Sequence, residues 1–375
     1  MRNIKVLSVF GTRPEAIKMC PLIKILEESP EVDSVVCLTG QHRQMLDQVI
    51  NIFGTSVRYD LNIMRPRQTL TTITTDILIK MEEILQKEKP DLVLVHGDTS
   101  TSFVVALAAF YQQIPVGHVE AGLRTGDRYS PFPEEMNRVL SGHIAELHFA
   151  PTETSRLNLE REGICENVFV TGNTVIDSFA TTVKENYEFK DKKLRALNLD
   201  DDKIILMTAH RRENLGEPMR NIFKAVKSIA NDNSDVLVIY PVHLNPAVKE
   251  TAEDILGGVD RVALIDPIEV DDMHNLMAKS YLVLTDSGGL QEEAPSFGVP
   301  VLVMRTETER PEAVAAGTVK MAGVLENDVY SLTNELLNDD AEYAKMARAI
   351  NPYGDGHASE RILDAILHWW KKRGS

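Results

Sequence analysis

Three acids in the first half of the chain stand just past short apolar runs or at a helix start. They are Asp98 in His96-Gly97-Asp98-Thr99-Ser100-Thr101, Glu120 in His118-Val119-Glu120-Ala121-Gly122, and Glu134 in Pro131-Phe132-Pro133-Glu134-Glu135. One such acid alone reads as a helix cap. Three turned to one cleft read as acid–base chemistry, because crowded carboxylates raise each other's pKa, so that one acts as base while another stays protonated. The second half supplies cationic and hydrogen-bonding groups. His210, Arg211 and Arg212 follow the apolar run Ile204–Thr208, where they suit phosphates or sugar hydroxyls, or a surface ion-pair cluster with Glu213. Ser287-Gly288-Gly289 follows Leu282–Thr285, and such a turn lets free N–H groups approach a diphosphate. Glu293, less than two helical turns further on, can accept from ribose hydroxyls, and Arg310 is a further counter-charge. Near the N-terminus, Gly11-Thr12-Arg13-Pro14-Glu15-Ala16-Ile17-Lys18 combines a tight turn, a helix start and two cations, a place for phosphate or simply a solvated helix end. It is not GxGxxG, so a dinucleotide cofactor is not indicated.

These groups need a scaffold that gathers strand ends. Strand-like runs rich in β-branched residues alternate with helical stretches throughout. The first half offers Ile4–Phe10, Val35–Thr39, Leu92–His96, Val116–Val119, Leu147–Ala150 and Val168–Thr171. The second offers Ile204–Thr208, Val236–Pro241, Val262–Leu264, Leu282–Thr285 and Val301–Met304. Strands apolar on both faces imply parallel sheets covered by helices, whose ligands bind beyond the carboxyl ends. The expected fold is α/β, two Rossmann-like doubly wound domains with an active-site cleft between them. The first domain is expected over residues 1–183, with the helix 358–375 packing back on it, and the second over 184–357. The polar stretch Lys184–Lys203 reads as the linker.

Composition narrows the function. There are 56 acidic against 40 Lys and Arg residues, a net charge of −16, which argues against a nucleic-acid or anionic-membrane partner but permits a small anionic substrate. Three scattered cysteines form no metal-ligand pattern and point to a reducing compartment. The apolar run before Gly11 is too short for a signal peptide or membrane span, so a cytoplasmic protein without metal or cofactor is expected.

Across nearly its whole length the chain resembles the bacterial UDP-N-acetylglucosamine 2-epimerases of the non-hydrolysing type. The matching words include FGTRPEAIKM, QHRQMLDQV, VHGDTSTS, GHVEAGLRTGD, PFPEEMNR, AHRRENLG, YPVHLNP, LTDSGGLQEEAPSFGVPVLVMR and TERPEAV. The resemblance implies the GT-B architecture, a homodimer, and epimerisation at carbon 2 through loss and re-addition of UDP. It places catalytic groups on Asp98, Glu120, Glu134 and His210. Substrate contacts fall on Arg13, Lys18, Met273, Ser287, Gly288, Gly289, Glu293 and Arg310, with Met273 where relatives often carry an aromatic residue against uracil. A second, activating UDP-N-acetylglucosamine falls on Gln41, His42, Gln44, Arg67, Arg211 and His243. Alternatives are a hydrolysing 2-epimerase, a glycosyltransferase of the same fold, and a silent UDP-sugar sensor.

Overall fold

The computed structural model describes residues 2–40, 43–65 and 67–374, with side chains for all of these except 43–45. The chain divides into two units, residues 1–181 with 353–375, and residues 182–352.

Unit 1 is built on the strands β1 (Ile4–Phe10), β2 (Val32–Leu38), β3 (Tyr59–Asp60), β4 (Leu92–His96), β5 (Val116–Val119), β6 (Leu147–Ala150) and β7 (Val168–Val170). Their order is β3-β2-β1-β4-β5-β6-β7, with every pairing parallel. Leu7, Val9, Val93 and Val95 are fully buried under helices that contribute Ile77, Met81, Val104 and Val105, so the alternation of strand and helix converts directly into burial. Strand order reverses between β1 and β4, which opens a ligand-binding crevice at their carboxyl ends. The closing helix Ala358–Arg373 belongs to this unit. Its first turn donates from Ser359 N to Asp177 Oδ1 at 2.6 Å, and Trp369 Nε1 donates to Glu146 Oε1 at 3.0 Å.

Unit 2 repeats the plan with β8 (Lys203–Thr208), β9 (Val236–Pro241), β10 (Val262–Ile265), β11 (Leu282–Thr285), β12 (Val301–Val303) and β13 (Val319–Met321). The order is β10-β9-β8-β11-β12-β13, again all parallel, with the switch between β8 and β11. The strand positions Ile205, Met207, Val238, Leu282 and Leu284 meet Ile222, Phe223 and Val226 of the Glu217–Asp232 helix.

Two features depart from the sequence reading. The stretch 184–203 is no free linker but a folded strap on unit 2. Tyr187 Oη, Lys190 N and Asp191 N all donate to the buried Asp272 carboxylate, and Phe189 and Leu194 are buried. Its charges look like solvated ones because their partners, Glu269 and Asp271 for Lys190, lie far along the chain. The short edge strands β3 and β13 carry too few residues to show a periodicity.

Candidate functional site

In unit 1 the polar groups gather where β1, β4 and β5 end. The turn after β1 requires Gly11, because a Cβ there would stand 1.9 Å from Thr39 Oγ1. Thr12 caps the helix Arg13–Glu28, and Glu15 completes the capping box. Glu15 does more than cap. Its buried carboxylate accepts from Gly11 N and Thr12 N at 3.0 and 2.8 Å, and from Thr99 Oγ1 and Ser102 Oγ at 2.8 and 3.2 Å. It therefore ties the turn after β1 to the helix start after β4, across the switch point. Nothing in the sequence separated this acid from an ordinary capping residue.

Glu120 is constrained through both backbone and side chain. Its backbone lies in the left-handed region at φ +61°, which a non-glycine residue occupies only where its surroundings hold it. Lys18 Nζ stands 2.6 Å from Glu120 Oε2, and His96 Nε2 approaches the same oxygen at 2.8 Å. Burial opposes ionisation of this carboxyl, but the Lys18 ammonium and His96 override it and hold it well below the usual carboxylate range. The expected mutual raising of carboxylate pKa values is thus overturned at Glu120, because Lys18 and His96 rather than other acids are its nearest neighbours. Lys18, expected at a phosphate, here meets Glu120.

Asp98 pairs with Arg138, and its carbonyl accepts from Asn137 Nδ2 at 3.0 Å. Both partners lie on the helix Glu134–Ile144, so the helix that Glu134 opens is tied directly to Asp98. Glu134 itself is half-buried, whereas its neighbour Glu135 is buried. Glu135 accepts from Thr125 N and Gly126 N, at 3.1 and 2.9 Å, and meets Arg138 Nη1 at 3.2 Å. Arg138 therefore bridges Asp98 and Glu135, a link that the sequence did not reveal. Behind them His118 donates from Nε2 to Gly97 O at 2.7 Å; burial pushes its pKa down to about 3 and keeps it neutral. Arg13 is half-buried at the first helical position after β1.

In unit 2 the corresponding strand ends carry His210 and Ser287-Gly288-Gly289. The fully buried Asp286 joins them: its Oδ2 accepts from His210 N and Arg211 N at 2.8 Å each, and from Asn214 Nδ2 at 3.1 Å. Arg211 Nε donates to Asp286 O at 3.2 Å. The Nη2 atoms of Arg310 and Arg211 come within 3.6 and 3.9 Å of where a Cβ on Gly288 would stand. Two guanidinium groups thus converge on a glycine turn whose N–H groups open a short helix, Gly288–Glu293, a combination that suits a diphosphate. Glu292, on the same helix, pairs with Arg310 and orients it. Glu293 Oε2 lies 3.5 Å from Nε2 of the buried His274, whose Nδ1 pairs with Thr182 Oγ1 at 2.8 Å. Met273, next to His274 on the Val270–Lys279 helix, is half-buried.

Of the residues expected to bind a second ligand, Gln41 and His42 lie outside the described residues. Gln44 lies in the helix Arg43–Phe53, its side chain undescribed. Arg67 is exposed in unit 1, and its backbone too is left-handed, at φ +60°. In unit 2, the His243 ring stacks on His210 at 5.4 Å between centroids and 16° between planes, while Arg211 lies with Arg310 beside Gly288. Burial lowers the His210 pKa, Asp286 opposes this, and His243 and Arg211 reinforce it. Among the described residues, no group of three or more His, Cys, Asp or Glu is arranged to hold a metal ion, and no helix is long and apolar enough to cross a membrane.

Comparison with known proteins finds relatives along most of the chain. Residues 24–367 match the family described as UDP-N-acetylglucosamine 2-epimerase. The UDP-N-acetylglucosamine 2-epimerase of Bacillus subtilis (strain 168) is 57% identical over 368 residues, which cover 98% of this chain and 96% of that one. The solved structure of S. aureus MnaA with UDP has a TM-score of 0.88 at 52% identity, covering 98% of this chain and 97% of that one. The UDP-GlcNAc 2-epimerase of Neisseria meningitidis, solved bound to UDP-GlcNAc, has a TM-score of 0.88 at 49% identity, covering 97% of this chain and all of that one. With a family match over most of its length and two GT-B-type α/β domains, the chain belongs to the UDP-N-acetylglucosamine 2-epimerase family.

Proposed function

We propose that the protein interconverts UDP-N-acetylglucosamine and UDP-N-acetylmannosamine without hydrolysis. The observation that carries this reading is Glu120, a carboxylate held ionised by Lys18 and His96 at the end of β5. The hydrogen on carbon 2 is not next to a carbonyl, so it cannot leave by simple enolisation. Its removal instead accompanies rupture of the bond between carbon 1 and the diphosphate oxygen. The proton passes to a carboxylate, the electron pair forms the carbon 1–carbon 2 double bond of 2-acetamidoglucal, and UDP departs with the electrons of the broken bond. Re-addition of UDP at carbon 1, with a proton delivered to the other face of carbon 2, gives the epimer.

In this reading unit 1 supplies Asp98, Glu120 and Glu134 as bases, acids and anionic stabilisers of positive charge developing at carbon 1. Unit 2 holds the nucleotide: Arg211, Arg310 and the Ser287-Gly288-Gly289 turn take the diphosphate, Glu293 the ribose, and Met273 packs on uracil. His210, with Arg13 and Lys18, stabilises the leaving UDP. A second UDP-N-acetylglucosamine activates the enzyme through Gln41, His42, Gln44, Arg67, Arg211 and His243. The likeness to the family further supports a cytoplasmic homodimer whose product supplies N-acetylmannosamine units for cell-surface polysaccharide.

Incubation with UDP-N-acetylglucosamine in deuterium oxide, followed by NMR, tests the chemistry. The expected product is UDP-N-acetylmannosamine with deuterium at carbon 2. Free N-acetylmannosamine plus UDP would establish the hydrolysing reaction instead, and a product keeping its original hydrogen would replace proton exchange by hydride transfer.

A further inference from the structure

Asp286 is fully buried at the end of β11, next to the Ser287-Gly288-Gly289 turn. Three donors, His210 N, Arg211 N and Asn214 Nδ2, converge on one of its oxygens. The other, Oδ1, makes no aligned hydrogen bond among the described residues, yet His210 Nδ1 stands 3.3 Å from it. A buried carboxylate oxygen needs a donor, and the imidazole is the group placed to provide it. The ring cannot turn freely to other partners. Its outer face is covered by the stacked His243 ring from the loop after β9, and Arg211 and Glu213 flank it on its own loop. Arg211 is drawn to the same residue, through its Nε bond to the Asp286 carbonyl.

We propose that Asp286 is a positioning residue that fixes His210 with Nδ1–H turned toward its Oδ1 and Nε2 turned outward to the ligand, while aiming Arg211 at the glycine turn. A histidine held in this way offers one defined nitrogen. Neutral, Nε2 accepts; protonated, it donates to the oxygen of a departing diphosphate. The acid acts by orienting the ring, as in other acid–histidine pairs. The catalytic consequence rests on the epimerase reading; the ring geometry does not.

Asp286→Asn is the decisive variant, because it keeps an oxygen for the three N–H donors. Its NH2 group then faces His210 Nδ1, which must accept and leave the ring proton on Nε2. The probe is 15N NMR of histidine-labelled protein at alkaline pH, with the His210 signal assigned by its loss in His210→Gln. The wild type is expected in the Nδ1–H tautomer and Asp286→Asn in the Nε2–H tautomer, with unchanged thermal melting. Turnover should fall at least tenfold in Asp286→Asn, mainly in kcat rather than KM. Adding Asp286→Asn to His210→Gln should cost little more, since the acid acts through the imidazole. An Nε2–H tautomer in the wild type, full turnover of Asp286→Asn, or losses that multiply in the double variant would each overturn the proposal. If the wild type shows the expected tautomer but does not epimerise the sugar, the epimerase reading fails and the placement of His210 stands.

Discussion

In unit 1 the acids at the strand ends are answered by side chains: Lys18 and His96 close on Glu120, and Arg138 on Asp98 and Glu135. In unit 2 the buried Asp286 is answered chiefly by backbone N–H groups, and the guanidinium groups of Arg211 and Arg310 lie toward Gly288. Both sets grow from the same place in the same fold, the switch point of a parallel sheet. What differs is how readily the charges can be exchanged. A carboxylate held by the flexible side chains of a lysine and a histidine can change partners as a reaction proceeds, and it takes up a proton only when those partners shift. An acid clasped by main-chain donors keeps its partners fixed and makes a rigid support for the loop that carries His210 and Arg211. The contrast fits the proposal that the carbon 2 proton is handled by unit 1 and the nucleotide is held by unit 2.

Separating turnover from binding breaks or sustains that division most directly. Glu120→Gln should lower turnover about a hundredfold or more while leaving UDP affinity within a fewfold of wild type, and Asp98→Asn and Glu134→Gln should behave alike. Turnover by NMR and UDP titration by calorimetry give the two numbers; near-normal turnover in all three variants would remove the acids from catalysis. On the other side, Arg310→Ala and Arg211→Ala should each weaken UDP binding roughly tenfold to a hundredfold, the range for loss of a charge-assisted hydrogen bond to phosphate. Unchanged UDP affinity in both would take the diphosphate away from Gly288.

The two units should also differ in acid. His118 and His148 in unit 1 are pushed from an ordinary 6.5 to about 3 and about 4, in each case chiefly by burial. Both are neutral when folded and take up a proton when unfolded below about pH 6.5, so the unfolded chain binds more protons there. Stability from these sites is therefore complete above about 6.5 and is lost progressively as pH falls toward 4, by about 2 kcal/mol each at pH 5. Hydrogen exchange should show β5 and β6 losing protection between pH 7 and pH 5 before β8 and β11 do. Replacing His118 with Gln, which can still donate to Gly97 O, should flatten that pH dependence; an identical pH response in both sheets would dismiss the asymmetry.

The sequence made the scaffold legible because each sheet is parallel and covered on both faces, so its strands read as short apolar runs. The runs at Ile4–Phe10, Leu92–His96 and Val116–Val119 are strands with those bounds. It also located the strand ends that carry Asp98, Glu120, His210 and Gly288. Partnerships were not legible, since they join residues far apart: Lys18 with Glu120, Arg138 with Asp98, Asp286 with the backbone of His210. Glu15 and Asp286 escaped notice for the same reason. Each sits inside a motif as one more acid, and only the donors that converge on it distinguish it from a cap. The strap over 184–191 was misread because charge density marks solvent only until its counter-charges are located.

The smallest expected effect lies in the shape of a rate curve rather than its height. Arg67 is an exposed residue of unit 1 held at positive φ, and His243 is an exposed residue of unit 2 whose ring covers His210. Neither is among the groups proposed to hold UDP, so UDP affinity should hardly change, whereas His243→Ala also uncovers His210 and its basal rate is measured separately. If a second UDP-N-acetylglucosamine engages both, it favours the state in which both contacts form, and binding linkage then makes the forward reaction sigmoidal in that sugar nucleotide. The pure mannose-configured epimer, lacking the activator, should react slowly until a trace of the glucose-configured sugar is added. Arg67→Ala and His243→Ala should each reduce the sigmoidal character and the response to that trace, with UDP affinity changed less than twofold or so. His243→Phe keeps a ring on His210 but not the hydrogen-bonding edge, so it should resemble His243→Ala if the edge reads the ligand and the wild type if the stack alone matters. Hyperbolic wild-type kinetics in both directions, with no lag for the pure epimer, would remove the second ligand and leave the division between the two units untouched.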